Sequence, residues 1–463
     1  MPSVRLIEAD LPEFGVPETR PEISRELHAE RLARLFDRAE RAGVATLVVY
    51  ADREHFANIA YLMEFEPRFE EALLILSRHR KPVVFTGPEN TSRAGAAKLD
   101  ADVITYPPFG LLGQDRTGTP ALADLFRAEG IATRSVVGVI GWKYFGLIES
   151  PTPETWLEVP SYIVDTLRDV VGKDGRVVNA TALLMDASQG LRAINEIDQL
   201  AQFEFSACHV SEAVKRLIFG LRPGMREFEV AALLRPIGLP FSCHPMLSSG
   251  ERAAFGLESP GDKVIARGEP LTVAYGVWGA LSSRAGWVVG SAAELPPAVA
   301  DYVERLAAPY FACAAEWYET VGIGVAGGEI DALVRRHLGD PFFGLALNPG
   351  HLIHLDEWMN TPIYPGSAER LQSGQAIQID IIPATGTPYF TCNIEDGIAL
   401  LDEPGRAAFA ERYPGAWQRI EARRAFMADV LGIGLKPEVL PFSNIQGYLP
   451  PFMLSPRRIL SKA

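Results

Sequence analysis

A change of texture near residue 190 constrains the fold of this chain more than any other feature. Before it, a helical stretch over 23–43, with Leu27, Leu32, Leu35 and Phe36 on one side, leads into a series of β-branched runs. These are 47-LVVY-50, 72-ALLILS-77, 82-PVVFTG-87, 102-DVITYP-107 and 136-VVGVIG-141, and their alternation with helical stretches predicts an α/β domain. From Asn195 onward, apolar residues from Ile197 through Phe205 and Val214 to Leu221 recur at helical spacing, until 222-RPGM-225 stops the helix. A second helix, 226–235, starts at once. Two textures in 463 residues, too many for one ordinary core, predict two domains, 1–190 and 191–463. The Pro-rich patch 150-SPTPETWLEVP-160 reads as a surface loop within the first.

Composition narrows the class. With 48% hydrophobic and 22% charged residues the chain reads as globular and soluble. A net charge of −14 argues against nucleic acid and against an anionic membrane surface as partners. The start shows no basic segment followed by an apolar run, and runs such as 44-VATLVVYA-51 are far shorter than a membrane span, so the cytoplasm is the expected location. Cys208, Cys243, Cys313 and Cys392 form no Cys-x-x-Cys pair and read as reduced, buried thiols. The segment 322-GIGVAGG-328 formally matches Gly-x-Gly-x-x-Gly, but a helical stretch precedes it instead of a strand. It is therefore expected to end one helix and turn into the next, 329–338, without binding a nucleotide.

Three segments carry candidate chemistry. The stretch 348-NPGHLIHLDEW-358 holds two of the eight histidines, His351 and His354, just after an Asn-Pro-Gly turn. In 376-AIQIDIIP-383, a period of two puts Gln378 and Asp380 on one face of a strand and the isoleucines on the other. In 389-YFTCNIEDGIAL-400 the same period groups Thr391, Asn393 and Glu395, with Cys392 facing away. A hairpin through 384-ATGTP-388 would bring the two polar faces together. A carboxylate in so apolar a strand is costly unless it is paired or bound to a cation, so acid–base work, metal binding and a salt-bridged structure all stay open.

These segments resemble the pita-bread-fold family of aminopeptidase P, prolidase and creatinase. The resemblance spans both domains. The entry helix and Pro-Gly turn of 190–234, the Gly-His segment 349-PGHLIHLDEW-358, the strand around Asp380 and the closing 394-IEDGIAL-400 match in order and spacing. It implies an α/β N-terminal creatinase-type domain followed by an α+β pita-bread domain, and a homodimer. Family peptidases hold two metal ions with two Asp, one His and two Glu. By the resemblance the His falls on His351 and the Glu positions on Asp380 and Glu395. The two Asp positions fall within 271–290, aligned at Ala274 and Leu281, a stretch without any Asp, Glu, His or Cys. Two further family histidines fall on Leu257 and Trp358.

The resemblance therefore implies a hydrolase of a C–N bond in a small polar molecule that works without the metal pair and without another cofactor. His351 or His354 would act as base, and Asp380 and Glu395 would bind or orient. Tyr275, Trp278, Arg284 and Trp358 would line the pocket, with Arg284 clamping a substrate carboxylate. Two alternatives accompany it: a pseudo-peptidase that binds a small ligand or peptide, and a mononuclear metallopeptidase of the Xaa-Pro type.

Overall fold

The computed structural model describes residues 3–254 and 256–462. Packing divides the chain into two units, residues 23–193 and the residues from Ile194 on; the segment up to Glu22 joins the latter. The reason is strand β1 (Val4–Glu8), which pairs antiparallel with the last strand, β15 (Arg458–Lys462). Nothing in the spacing of β1 announces so distant a partner.

The N-terminal unit is built on a mixed sheet in the order β5-β4-β3-β2-β6-β7. Its strands are β2 (Thr46–Ala51), β3 (Ala72–Ser77), β4 (Val83–Thr86), β5 (Asp102–Thr105), β6 (Val136–Ile140) and β7 (Arg176–Asn179). The first five coincide with the β-branched runs; β7 is a short edge strand with too few residues to show a period. Helix α1 (Arg25–Arg41) starts at Ser24, whose hydroxyl accepts from the Leu27 amide at 3.1 Å, and ends with Arg38 and Arg41 in its last turn. Five further helices belong to this unit: α2 (Ala57–Met63), α3 (Thr91–Gly95), α4 (Leu122–Ala128), α5 (Ser161–Val171) and α6 (Ala182–Met185). Val48, Leu73, Phe85, Phe126, Val137 and Leu167 sit in one buried cluster.

The C-terminal unit carries an antiparallel sheet in the order β11-β12-β13-β10-β9-β8. Its strands are β8 (Cys243–Ser249), β9 (Pro270–Val277), β10 (Ala280–Trp287), β11 (His351–Leu352), β12 (Ala376–Asp380) and β13 (Asn393–Leu400), with β14 (Val439–Pro441) pairing β13. The long helix α7 (Ile197–Gly220) packs on β9 and β10. It stops where the sequence predicts, and α8 (Glu227–Ala231) follows. Helices α9 (Ala308–Thr320) and α10 (Gly327–Leu338) flank the glycine-rich segment, which is a turn: Gly324 has φ +85° between two helices. Helices α11 (Glu403–Arg412) and α12 (Pro414–Asp429) follow the sheet. Among the described residues, no helix is long and apolar enough to cross a membrane, and all four cysteines are free.

Candidate active site

The register of the antiparallel sheet brings the candidate residues together. Asp380 on β12 is the cross-strand partner of Glu395 on β13, and His351 on β11 is that of Gln378 on β12. Directly opposed residues share a face, so His351, Gln378, Asp380 and Glu395 all project to one side of the sheet. The short strand β11 is set by the turn before it. Gly350 has φ +144°, and a Cβ there would lie 2.9 Å from the Gln378 carbonyl and 3.2 Å from the Trp317 ring. Trp317 of α9 donates its indole N–H to the Pro349 carbonyl at 2.8 Å, fixing the turn against the core.

His351 Nε2 is the hub. Three carboxylates approach it: Glu357 Oε1 at 3.2 Å, Glu395 Oε1 at 3.8 Å and Asp380 Oδ2 at 4.0 Å. One ligand atom each from His351, Asp380 and Glu395 can be chosen so that all lie within 4.8 Å of one another. His351 is fully buried, and its Nδ1 lies 3.3 Å from the Leu352 carbonyl, which can only accept. A proton on Nδ1 is donated there, and Nε2 faces the carboxylates. Trp358 stacks on the imidazole, with centroids 4.2 Å apart and planes 17° from parallel.

The electrostatics of this cluster are unbalanced. Burial alone would lower the His351 imidazole, but the Glu357 and Glu395 carboxylates outweigh it and raise it to about 10. Burial pushes Asp380 up to about 6, with His351 opposing and Glu357 adding to the rise. Glu395 is held well above the usual carboxylate range by burial and by Asp380 beside it. Three acids thus compete for one imidazolium. Asp380 Oδ1, Gln378 Oε1 and Asn393 Oδ1 are buried without a hydrogen-bond partner, although native interiors satisfy most such atoms. A single divalent cation bound by one nitrogen and carboxylate oxygens fits this donor set.

Several expectations for single residues change. Arg284 is fully buried on the opposite face. It gives all five N–H groups to acceptors: Tyr448 O, Ser283 O, Glu395 O, Asp396 Oδ2 and Ile445 O. No donor is left to clamp a substrate, so Arg284 is structural. Tyr275 also faces away, because it opposes Ser282 and neighbours Ala274 along β9; its ring is buried edge-on to Phe241, 6.0 Å away. Trp278 is buried at the tip of the β9–β10 hairpin with the Arg20 guanidinium over its ring. His354 is buried edge-to-face with Phe203 of α7 and is not a member of the ligand cluster. Trp358 is the one expected lining residue that contacts the cluster. Leu281 lies two residues before Ser283 on β10 and so shares its face of the strand. The register puts Ser283 opposite both Glu395 and Ala274, so the row running from Asp380 continues through Glu395, Ser283 and Ala274. The conclusion drawn from that hairpin is unchanged, since neither serine nor alanine supplies a carboxylate. Leu257 is 74% exposed.

One site residue escaped the sequence reading. Glu357 lies in the quoted acidic segment, yet its spacing from His351 fits neither strand nor helix periodicity, because a turn folds it back onto the ring. Cys392 needs no revision: it is fully buried and pushed up to about 12 by that burial, which leaves it a poor nucleophile.

Comparison with known proteins adds a family. Residues 205–402 match the model of metallopeptidase family M24. Solved structures agree on the fold. An Xaa-Pro dipeptidase from Bacillus anthracis shares 18% identity over 82% of this chain and 96% of its own, with a TM-score of 0.60. A prolidase from Thermococcus sibiricus shares 18% over 81% and 95%, at 0.64. An X-Pro aminopeptidase from Thermotoga maritima shares 16% over 80% and 95%, at 0.61. No curated protein matches the chain by sequence. The fold is an α/β unit followed by a pita-bread unit. Within the matched residues, His351, Asp380 and Glu395 form a compact His/Asp/Glu site, and the neighbouring row at Ser283 and Ala274 is neutral.

Proposed function

We propose that the C-terminal unit hydrolyses a C–N bond in a short peptide or small amide with one divalent cation held by His351, Asp380 and Glu395. The observation that carries this reading is the crowding of the Glu357, Glu395 and Asp380 carboxylates around His351 Nε2, with Asp380 Oδ1 buried and unpartnered. A cation held there supplies Lewis acidity toward a carbonyl oxygen. The other residues hold the site in shape. Trp358 covers the imidazole face and limits its rotation, and Arg284 grips the Glu395 carbonyl from behind. Glu357, 28% exposed at its side chain, is the carboxylate best placed to exchange a proton with solvent. Xaa-Pro dipeptides are the first substrates to test, since the similar structures are an Xaa-Pro dipeptidase and prolidases.

Metal analysis after purification without chelator, with turnover of Xaa-Pro dipeptides before and after EDTA, tests the reading. Stoichiometric metal and activity that fall together in His351→Ala support it. Turnover that survives EDTA favours the metal-free, creatinase-like reading instead, for which His351, raised to about 10, supplies the positive charge itself. Metal binding without turnover of any peptide or amide leaves a pseudo-peptidase.

A cytoplasmic homodimer is part of this proposal. Loop residues Leu112, Leu147 and Ile148 are 93%, 80% and 99% exposed, apolar surface of the kind an interface covers. A monomeric mass by light scattering overturns that part.

A further inference from the structure

We propose that a cavity between the last turn of α1 and the edge strand β7, wholly within the N-terminal unit, binds a small organic molecule carrying a phosphate group. This is independent of the hydrolytic reading. The cavity holds about 760 Å³, a size typical of small-ligand sites. Arg38 and Arg41 of α1 and Arg176 of β7 converge on it, while Val44, Val136 and Val178 give it an apolar wall.

The arginines are unusual in their surroundings. The chain has 58 acidic residues against 44 basic ones, and other arginines of the same unit find carboxylates: Arg78 with Asp37, Arg80 with Glu129, Arg93 with Glu66, Arg127 with Asp124. Among the described residues, the guanidiniums of Arg38, Arg41 and Arg176 make no hydrogen bond or ion pair. The negative end of α1 accounts for basic residues in its last turn. It does not account for Arg176, which arrives from a different element. Two carboxylates also line the cavity. Asp186 accepts from the Ser188 amide and hydroxyl and the Gln189 amide of its own turn, and with Glu154 it sets two negative charges against the three arginines. The balance is positive. Burial pushes the Arg38 guanidinium below its usual value, with Tyr61 and Asp186 opposing and Arg41 and Arg34 adding to the fall, so a further anion beside it would be favoured. Guanidiniums that converge from two elements match the several oxygens of a phosphate, and the valines match an organic body rather than a bare ion.

Calorimetric titration of the full chain with phenyl phosphate tests the site. Saturable binding is expected, with Arg41→Gln/Arg176→Gln weakening it at least about tenfold and inorganic phosphate binding more weakly than the phenyl ester. Both arginines are exposed, and circular dichroism of the variant confirms that it folds. No saturation up to about 10 mM, or equal affinity in the double variant, overturns the proposal; equal affinity for inorganic phosphate overturns the role of the valine wall.

Discussion

Glu395 and Asp396 are neighbours on β13, both buried, and they face opposite sides of one sheet. On the helix-covered side Asp396 accepts from Arg284 Nη2 at 2.6 Å, from Ser282 Oγ at 3.1 Å and from the Gly447 amide at 3.3 Å. Every guanidinium proton of Arg284 is used as well. On the other side Glu395 crowds against Asp380 and the charge of His351, and Asp380 Oδ1, Gln378 Oε1 and Asn393 Oδ1 stay unpartnered. Burial still holds Asp396 above the usual carboxylate range despite Arg284. A buried ion pair is therefore no large source of stability by itself, but breaking one leaves an uncompensated charge. One face is a closed structural solution; the other is complete only with something added.

Removing Arg284 should break the closed face with the largest effect. Arg284→Met leaves Asp396 buried with no cation and the Tyr448, Ile445 and Glu395 carbonyls without donors. The expected loss is about 3–5 kcal/mol, read from urea unfolding followed by tryptophan fluorescence. A loss as small as that of a surface substitution would mean that the two faces do not differ in the way described.

Adding a cation should complete the open face. Protein stripped with EDTA and then given zinc or manganese at about 100 times its Kd gains about 2.7 kcal/mol. The gain should vanish in His351→Ala and persist in Ser283→Ala, because Ser283 stands in the neutral row. If His351→Ala keeps the full thermal shift, the ion binds elsewhere.

The open face should also titrate where the closed one does not. His351 is raised above its unfolded value to about 10, so its contribution is fully present below about 6.5 and is lost as pH rises toward 10. Asp380, raised to about 6, favours the folded state while protonated, and that contribution is lost as pH rises from about 4 through 6. Both signs agree: metal-free protein loses stability from acid to alkaline pH. Cation binding needs deprotonated ligands and strengthens in the same direction. Thermal melts of stripped protein across this range, repeated in His351→Gln, check the slope; an unchanged slope in the variant assigns it to other groups.

The sequence made the open face more legible than the closed one. Period-two patterning placed Gln378 and Asp380, and Asn393 and Glu395, on shared faces, and the antiparallel pairing of Asp380 with Glu395 follows from one hairpin. Arg284 looked like a ligand clamp, because a lone arginine after two serines carries no mark of being buried; two of its acceptors come from residues 445 and 448, more than a hundred and fifty positions away. The place of Ser283 beside Glu395 emerges only from the pairing of β10 with β13, which spacing along the chain does not reveal. The pairing of β1 with β15 was hidden for the same reason as the Arg284 contacts: the partner lies at the other end of the chain.

The smallest effect concerns Glu357, which stands between the two regimes. Its oxygen is 3.2 Å from His351 Nε2, closer than either cluster carboxylate, yet its side chain is 28% exposed and water screens the pair. Glu357→Gln should therefore cost under about 1 kcal/mol in metal-free protein, visible as a slight drop in melting temperature. Its effect on cation affinity is more informative. Glu357 and a cation compete for the same nitrogen, so if Glu357 only stands in for the missing charge, the variant binds zinc at least as tightly as the parent. If Glu357 swings in as a ligand, affinity falls about tenfold or more. The first outcome keeps the site at three ligands with a solvent-facing carboxylate free to handle protons. The second makes it a four-ligand centre, closed in the manner of the Asp396 side and correspondingly less able to admit a substrate.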